Sequence, residues 1–197
     1  MAKLYFSYSA MNAGKSTVLL QASHNYRERG MHTLLLTSAF DDRQGQGRIV
    51  SRIGLDMAAE LFDPDTDLHA FVAKEHACRK LDCVFVDEAQ FLTEDQVWQL
   101  ARVGDEMGIP VMCYGLRTDF QGKLFPGSAI LLAIADQLRE IRTICWCGSK
   151  AIMVVRLDGK GKIIEDGEQI VIGGEDKYVS LCRKHWSKKQ LGPAGSK

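Results

Sequence analysis

The sequence lacks the bulk features of an exported, membrane-bound or polyanion-binding protein. Lysine plus arginine equals aspartate plus glutamate at 25 each, so no excess of one sign draws the chain to nucleic acid or to a lipid surface. No apolar run approaches the roughly 20 residues that cross a bilayer. The opening Met-Ala-Lys-Leu-Tyr-Phe-Ser has neither the apolar stretch nor the cleavage site of a signal peptide. Six cysteines in 197 residues are too few for a disulfide scaffold. There is no internal repeat and no low-complexity segment. Three of the cysteines cluster with a histidine near the end of the chain, which reads as a metal site in a reducing compartment, so the expected location is the cytoplasm. What is present is 46% hydrophobic and 25% charged, enough core for one ordinary domain with a small appendage.

Along the chain, apolar strands alternate with helical periods. Residues 3–9 read as a strand that ends in a short loop, and Lys15 to Arg29 reads as a helix stopped by Gly30. Thr33 to Thr37 is a second strand, and the Gly-, Arg- and Asp-rich residues 41–56 predict a mobile polar loop. Leu68–Ala77 is predicted as a helix, Cys83–Val86 as a strand, and Thr93-Glu94-Asp95-Gln96 as a capping box for a helix closed by Gly108. Val111–Tyr114 reads as a further strand and Gly127–Leu138 as a further helix. The pattern predicts an α/β core with a mostly parallel sheet, residues 1–143. Past Thr143 short β-like runs replace helical periods, so residues 144–190 are expected to form a small second domain, with 191–197 a disordered tail.

Ser9-Ala10-Met11-Asn12-Ala13-Gly14-Lys15-Ser16 lies between a strand and a helix. A phosphate-binding loop needs inward backbone N–H groups, a helix N-terminus, a lysine for the outer phosphates and a hydroxyl for Mg2+. Gly14, Lys15 and Ser16 fit these roles, although Ser9 stands where the first glycine is usual. Val84-Phe85-Val86-Asp87-Glu88 puts two acids at the end of a buried strand. That pair permits a division of labour, with Asp87 on the metal and Glu88 as base for an acceptor hydroxyl. A lone acid there would only cap the strand; together with the loop, the pair points to NTP hydrolysis or phosphoryl transfer.

Cys145, Cys147, Cys182 and His185 form two short ligand pairs of the kind that zinc takes tetrahedrally. No acid or spare histidine accompanies them, so the expected site is closed and structural. Cys78, Cys83 and Cys113 are scattered, and His24, His32, His69 and His76 have no such company.

Taken with Asp-Glu-Ala-Gln-Phe at 87–91, Ile-Gly-Gly-Glu-Asp-Lys-Tyr at 172–178 and Cys-Arg-Lys-His at 182–185, these motifs resemble the type II, zinc-containing thymidine kinases of the bacterial, enterobacterial kind. The resemblance runs from Leu4 to about His185. It implies a RecA-like core, a zinc-tied "lasso" domain and a homotetramer. The implied activity is ATP-dependent phosphorylation of thymidine or deoxyuridine in nucleotide salvage for DNA synthesis, with an end-product nucleotide as inhibitor. Glu88 is then the base, and residues 9–16 with Asp87 and Gln90 hold ATP and Mg2+. Asp41 and Arg43 match the family's Asp-x-Arg near the transferring phosphate. Met11, Phe91, Leu116, Phe120 and Phe125 match positions around the nucleoside, and Val171, Gly173 and Tyr178 match the segment that closes over the base. Cys145 and Cys147 are separated by one residue rather than two, and the last ligand is His185 rather than a fourth cysteine. Two other classes share parts of this pattern. A RecA-like motor would need DNA-stimulated ATPase activity, and a zinc-ribbon switch would not be stabilised by thymidine.

Overall fold

Strands and helices alternate around a six-stranded sheet whose hydrogen-bonded pairs are all parallel. A computed structural model describes residues 2–40, 47–169 and 177–193. The first half holds β1 (Leu4–Ser9), α1 (Lys15–Glu28), β2 (Thr33–Ser38), β3 (Arg48–Val50), β4 (Asp56–Ala58), β5 (Glu60–Phe62), α2 (Leu68–Cys78) and β6 (Cys83–Val86). A single 3-10 turn at Ala89–Phe91 follows, then α3 (Glu94–Met107), β7 (Val111–Leu116), α4 (Pro126–Ile134) and β8 (Gln137–Glu140). The remainder is β9 (Thr143–Ile144), β10 (Lys150–Ala151), β11 (Met153–Leu157), β12 (Ile163–Ile164), β13 (Lys177–Leu181) and α5 (Arg183–Ser187).

The large sheet runs β5-β2-β6-β7-β1-β8. Every residue of β2 and of β6 is buried, as central strands of a sheet covered on both faces must be. Alternate residues divide between the two faces. Leu34 and Leu36 join Phe6, Val84 and Val86 under α2, α3 and α4, whereas Leu35 joins Phe85 and Tyr114 under Leu19 and Leu20 of α1. Each such side chain contributes about 1.5–3 kcal/mol by leaving water. β7 lies between β1 and β6, so the strand that precedes the glycine loop and the strand that precedes the acids are one strand apart. This is the parallel sheet flanked by helices that the α/β pattern predicts.

Local chemistry explains the helix ends. Thr93 Oγ1 accepts from Gln96 N–H at 3.2 Å while Gln96 Oε1 accepts from Thr93 N–H at 3.1 Å, which completes the capping box. Gly108, at φ 70°, closes α3. The buried positions of α3 (Gln96, Val97, Leu100, Val103, Gly104) recur at helical spacing and face the sheet.

Two sequence expectations need correction. The polar stretch 41–56 contains β3, which pairs antiparallel with β4 at the end of the stretch and sends Ile49 into the α1-side core, and β5 pairs with the sheet edge immediately after that hairpin. Strands of three residues are too short to show a period of two. The helix expected over 127–138 ends at Ile134, because residues 137–140 pair with β1 as an edge strand instead. Asp136 Oδ2 accepts from Leu4 N–H at 2.7 Å and fixes that switch.

The smaller half holds the three-stranded antiparallel sheet β12-β11-β13, the hairpin β9–β10 and the short α5. Cys145, Val155, Leu181 and Cys182 form its core, with Leu191 packed against it.

The seating of α4 generates a test of the core. A Cβ on Gly127 would stand 2.6 Å from Leu92 O and 2.8 Å from Ala89 O, both rigid backbone. Gly127→Ala is expected to destabilise the protein by about 1–3 kcal/mol through overpacking. Urea unfolding measures this, and an unchanged midpoint would mean that α4 is free to slide off the 3-10 turn.

Candidate active site

The carboxyl ends of β1, β6 and β7 lie side by side, and the loops that leave them build one cavity of about 630 Å³. The first loop, residues 10–14, bends through two left-handed residues, Asn12 at φ 61° and Gly14 at φ 84°. Asparagine tolerates that region better than most side chains, and glycine enters it without strain. Ser9 is not among the positive-φ residues. It is buried, and its hydroxyl donates to Ala10 O at 2.7 Å. The loop therefore turns without a glycine at its first position. Gly14 caps α1, which leaves the helix N-terminus and the buried Lys15 on the cavity wall.

Opposite the loop, Ser16 Oγ donates to Asp87 Oδ2 at 2.9 Å, and Glu88 N–H donates to Asp87 Oδ1 at 3.0 Å. Asp87 is 4% exposed, and burial pushes its carboxyl up to about 7, with the neighbouring Glu88 charge adding to the effect. Glu88 sits at φ 52°, a left-handed conformation that costs a non-glycine residue roughly 1–2 kcal/mol. Gln90 Nε2 donates to Glu88 Oε2. The same cavity also has an apolar and aromatic lining, to which Met11, Phe91, Leu116, Phe120, Phe125 and Tyr178 contribute. Phe91 meets Phe125 edge to face at 6.2 Å between centroids and tilts against Phe40 at 6.1 Å.

In the smaller half, a tight turn after β9 (Gly148 N–H to Cys145 O, 2.9 Å) turns Cys145 and Cys147 towards the start of α5. Cys182 caps that helix and His185 lies in its first turn, so both face the thiols. The four ligand atoms all lie within 4.8 Å of one another, and His185 Nδ1 is 3.4 Å from both Cys145 Sγ and Cys182 Sγ. Sulfur and nitrogen ligands of one tetrahedral zinc ion stand about 3.6 Å apart, so these residues fit that ion. Trp146 stacks on the His185 ring at 4.2 Å and holds its plane. Hydrogen bonding from Ser149 draws the Cys147 thiol down to about 7, while burial pushes Cys145 up. Trp186, next to His185, donates its indole N–H to Phe120 O at 3.2 Å and Val154 O at 3.0 Å. The cysteine cluster is thereby linked to the aromatic lining of the cavity.

A family model described as thymidine kinase matches residues 2–186. The chain belongs to the thymidine kinase family. It is 66% identical over 188 residues to the thymidine kinase of Rhizobium meliloti (strain 1021), covering 94% of this chain and 96% of that one. It is 67% identical over 186 residues to that of Agrobacterium fabrum (94% and 96% covered), and 62% identical over 197 residues to that of Ruegeria pomeroyi (100% and 99% covered). A crystal structure of Pif1 helicase from Candida albicans matches at TM-score 0.41 and 13% identity, covering 73% of this chain and 36% of that one; so slight a likeness supports no inference.

For this member of the thymidine kinase family, the cavity gathers most of the residues singled out in the sequence. Met11, Asn12, Ala13, Gly14, Lys15 and Ser16 line it, as do Asp87, Glu88, Gln90, Phe91, Leu116, Phe120, Phe125 and Tyr178. Ser9 and Ala10 lie behind, in the strand end and the start of the loop. Asp41, Arg43, Val171 and Gly173 lie outside the described residues, as do 194–197 of the tail. Sequence reading missed Ile49 to Ile53 of the hairpin, Thr118, Asp119 and Gln169, all on the cavity wall. Asp119 had a visible signal, a turn acid after a strand and before Gly122. Its Oδ1 accepts from Gln121 N–H and Lys123 N–H, and its Oδ2 from Gln169 Nε2 at 2.8 Å.

The buried acid makes stability depend on pH in a definite direction. A carboxyl raised on folding is protonated in the folded chain and ionised in the unfolded chain between about 4 and about 7. Over that window the folded state holds the extra proton, so this group's contribution to stability falls as pH rises. Asp87→Asn removes that dependence. In ligand-free protein its melting temperature relative to wild type should rise from about pH 4 to about pH 7 and level off above that, as read by calorimetry; a constant difference would mean that Asp87 ionises freely in the folded chain.

Proposed function

We propose that the chain transfers the γ-phosphate of ATP to the 5′-hydroxyl of thymidine, and of deoxyuridine, in cytoplasmic salvage of deoxynucleosides for DNA synthesis. The observation that carries this reading is one cavity whose wall combines a glycine-loop helix terminus with a buried lysine, the acid Glu88 and a group of aromatic side chains. In this reading residues 9–16 cradle the phosphates and Lys15 neutralises the outer ones. Ser16 and Asp87 would hold the Mg2+ that arrives with ATP, an ion that offsets charge on the transferring group. Glu88 takes the proton of the 5′-hydroxyl as that oxygen bonds to the γ-phosphorus. The bond from phosphorus to the β–γ bridging oxygen breaks, and ADP leaves. Asp41 and Arg43 are assigned to the phosphate side, and Val171, Gly173 and Tyr178 to the segment over the base, on the motif resemblance.

Residues 1–143 would be the kinase core and 144–190 a lasso domain tied by zinc, with 191–197 a tail. Four protein ligands leave no open position on the metal, so zinc would supply folding energy rather than chemistry. A homotetramer and inhibition by an end-product nucleotide come with the family reading. No nucleic acid or membrane partner is assigned, and among the described residues no helix is long and apolar enough to cross a membrane.

Steady-state kinetics test the base. Glu88→Gln should lower kcat by about 10²- to 10⁴-fold with little change in ATP affinity, whereas Lys15→Ala should weaken phosphate stabilisation itself. A nucleoside screen tests the slot. Thymine and uracil share one hydrogen-bonding edge, which cytosine reverses at two positions, so deoxycytidine should be poorer by up to about 10⁴-fold in kcat/KM. Deoxyuridine loses only a methyl in the niche near Met11 and Leu116, about 1–3 kcal/mol, and purines exceed the aromatic slot. Deoxycytidine used as well as thymidine would overturn this reading of the pocket.

Metal analysis should find about one zinc per chain, and Cys145→Ser or His185→Ala should give poorly soluble protein. Zinc-free protein with full activity and a sharp melt would refute the structural role.

A further inference from the structure

The expected place of Gln90 was among the ATP contacts, but its side chain is 1% exposed and both ends of its amide are engaged. Oε1 accepts from Leu116 N–H at 2.9 Å. A backbone N–H only donates, so this bond fixes which end of the amide is oxygen. The NH2 must therefore face Glu88, and it donates to Glu88 Oε2. The backbone around this bridge is shaped to admit it. A Cβ on Gly115 would stand 3.0 Å from both Gln90 Oε1 and Gln90 N, so only glycine leaves room for the amide against β7. Leu116 is held from its other side as well, because Ser128 Oγ donates to Leu116 O.

We infer that Gln90 is a positioning residue: its amide locks the Glu88 carboxylate to the end of β7, the same strand end that forms a wall of the nucleoside slot. This rests on the reading of Glu88 as the base. Glu88 leaves its strand in a left-handed conformation, which takes it out of the regular alternation of the sheet. Donation from Gln90 favours one carboxylate orientation, and Leu116 N–H refers that orientation to the wall against which the acceptor lies. A base displaced by about 1 Å loses on the order of 10²-fold in rate, which is the scale of effect such a clamp protects.

The test is a double-mutant cycle in the full-length protein with MgATP and thymidine. Gln90→Met keeps the volume and removes both hydrogen bonds. Gln90→Glu keeps an acceptor for Leu116 N–H but sets an acidic oxygen against Glu88. Both should lower kcat by about 10- to 100-fold while the Kd for MgATP, measured by calorimetric titration, stays within about twofold. In a Glu88→Gln background, Gln90→Met should lower kcat further by less than about twofold, because its effect passes through the residue already lost. Additive losses in the cycle, normal kcat in Gln90→Glu, or a fall in MgATP affinity that accounts for the loss would each overturn the inference. If Gln90→Met fails to fold, Gln90→Glu and its own cycle decide. Near-normal turnover in Glu88→Gln alone would overturn the base reading and the clamp together. An inactive Glu88→Gln beside fully active Gln90 variants would overturn the clamp alone.

Discussion

Ser16 and Asp87 are 71 residues apart in the chain, yet their oxygens meet at 2.9 Å, and the geometry of the site follows from what that contact requires. β1 and β6 flank β7 in parallel, and Leu4 and Val84 both pair with Val111, so the three strands start level. β6 stops at Val86, opposite Cys113, whereas β1 runs on to Ser9, opposite Leu116. Three residues of difference at about 3.3 Å each leave a recess roughly 10 Å deep above the short strand. Asp87 sits at its floor and the glycine loop curls over its rim. The first turn of α1 then brings Ser16 back down to the acid. A longer β6 would fill the space, and a shorter β1 would lower the loop into it.

The loop is also held from the smaller half. Ser180 Oγ of β13 donates to Met11 O at 2.6 Å, and Asn12 Nδ2 donates to Tyr178 O at 3.4 Å. Met11 stands on the cavity wall and Asn12 is one of the two left-handed turns of the loop, so one strand braces the loop at two successive residues. The cysteine cluster stands at the foot of that strand, since Cys182 follows Leu181 directly. From there Trp186 reaches Phe120, and the Arg156 guanidinium lies over the Phe120 ring at 5.4 Å. Order at the cluster is thereby order in the slot, without any ligand atom near the chemistry.

How much of this was legible in the sequence depends on the range of the interaction. Glycine, capping and burial signals are local, so the loop at 9–16, the capping box at Thr93 and the strand at Cys83–Val86 could all be read directly. The cysteine cluster was legible because ligand chemistry restricts residue type so narrowly. β3, β4 and β8 were not, since short strands are specified by the partner they pair with; Gln137–Glu140 is a strand only because β1 offers an open edge. Asp119 and Gln169 were missed for the same reason, being joined across 50 residues. Gln90 was seen in its motif but not understood, because its role lies in the backbone N–H of Leu116, to which the motif makes no reference.

Adjacent acids at a strand end present a difficulty that the backbone resolves. In an extended chain, residues 87 and 88 would point to opposite faces of the sheet, and only one could reach the recess. Turning them both inward without relief would set two charges together in a site whose burial already raises Asp87. The left-handed turn at Glu88 breaks the alternation. It keeps Glu88 on the cavity wall, yet gives the two carboxylates different partners, Ser16 for Asp87 and Gln90 for Glu88. Glycine at 88 would adopt that conformation with no strain, but it has no carboxylate to place. The strain is therefore the cost of setting a second acid where the chain must bend, and the surrounding hydrogen bonds make the strained conformer the occupied one.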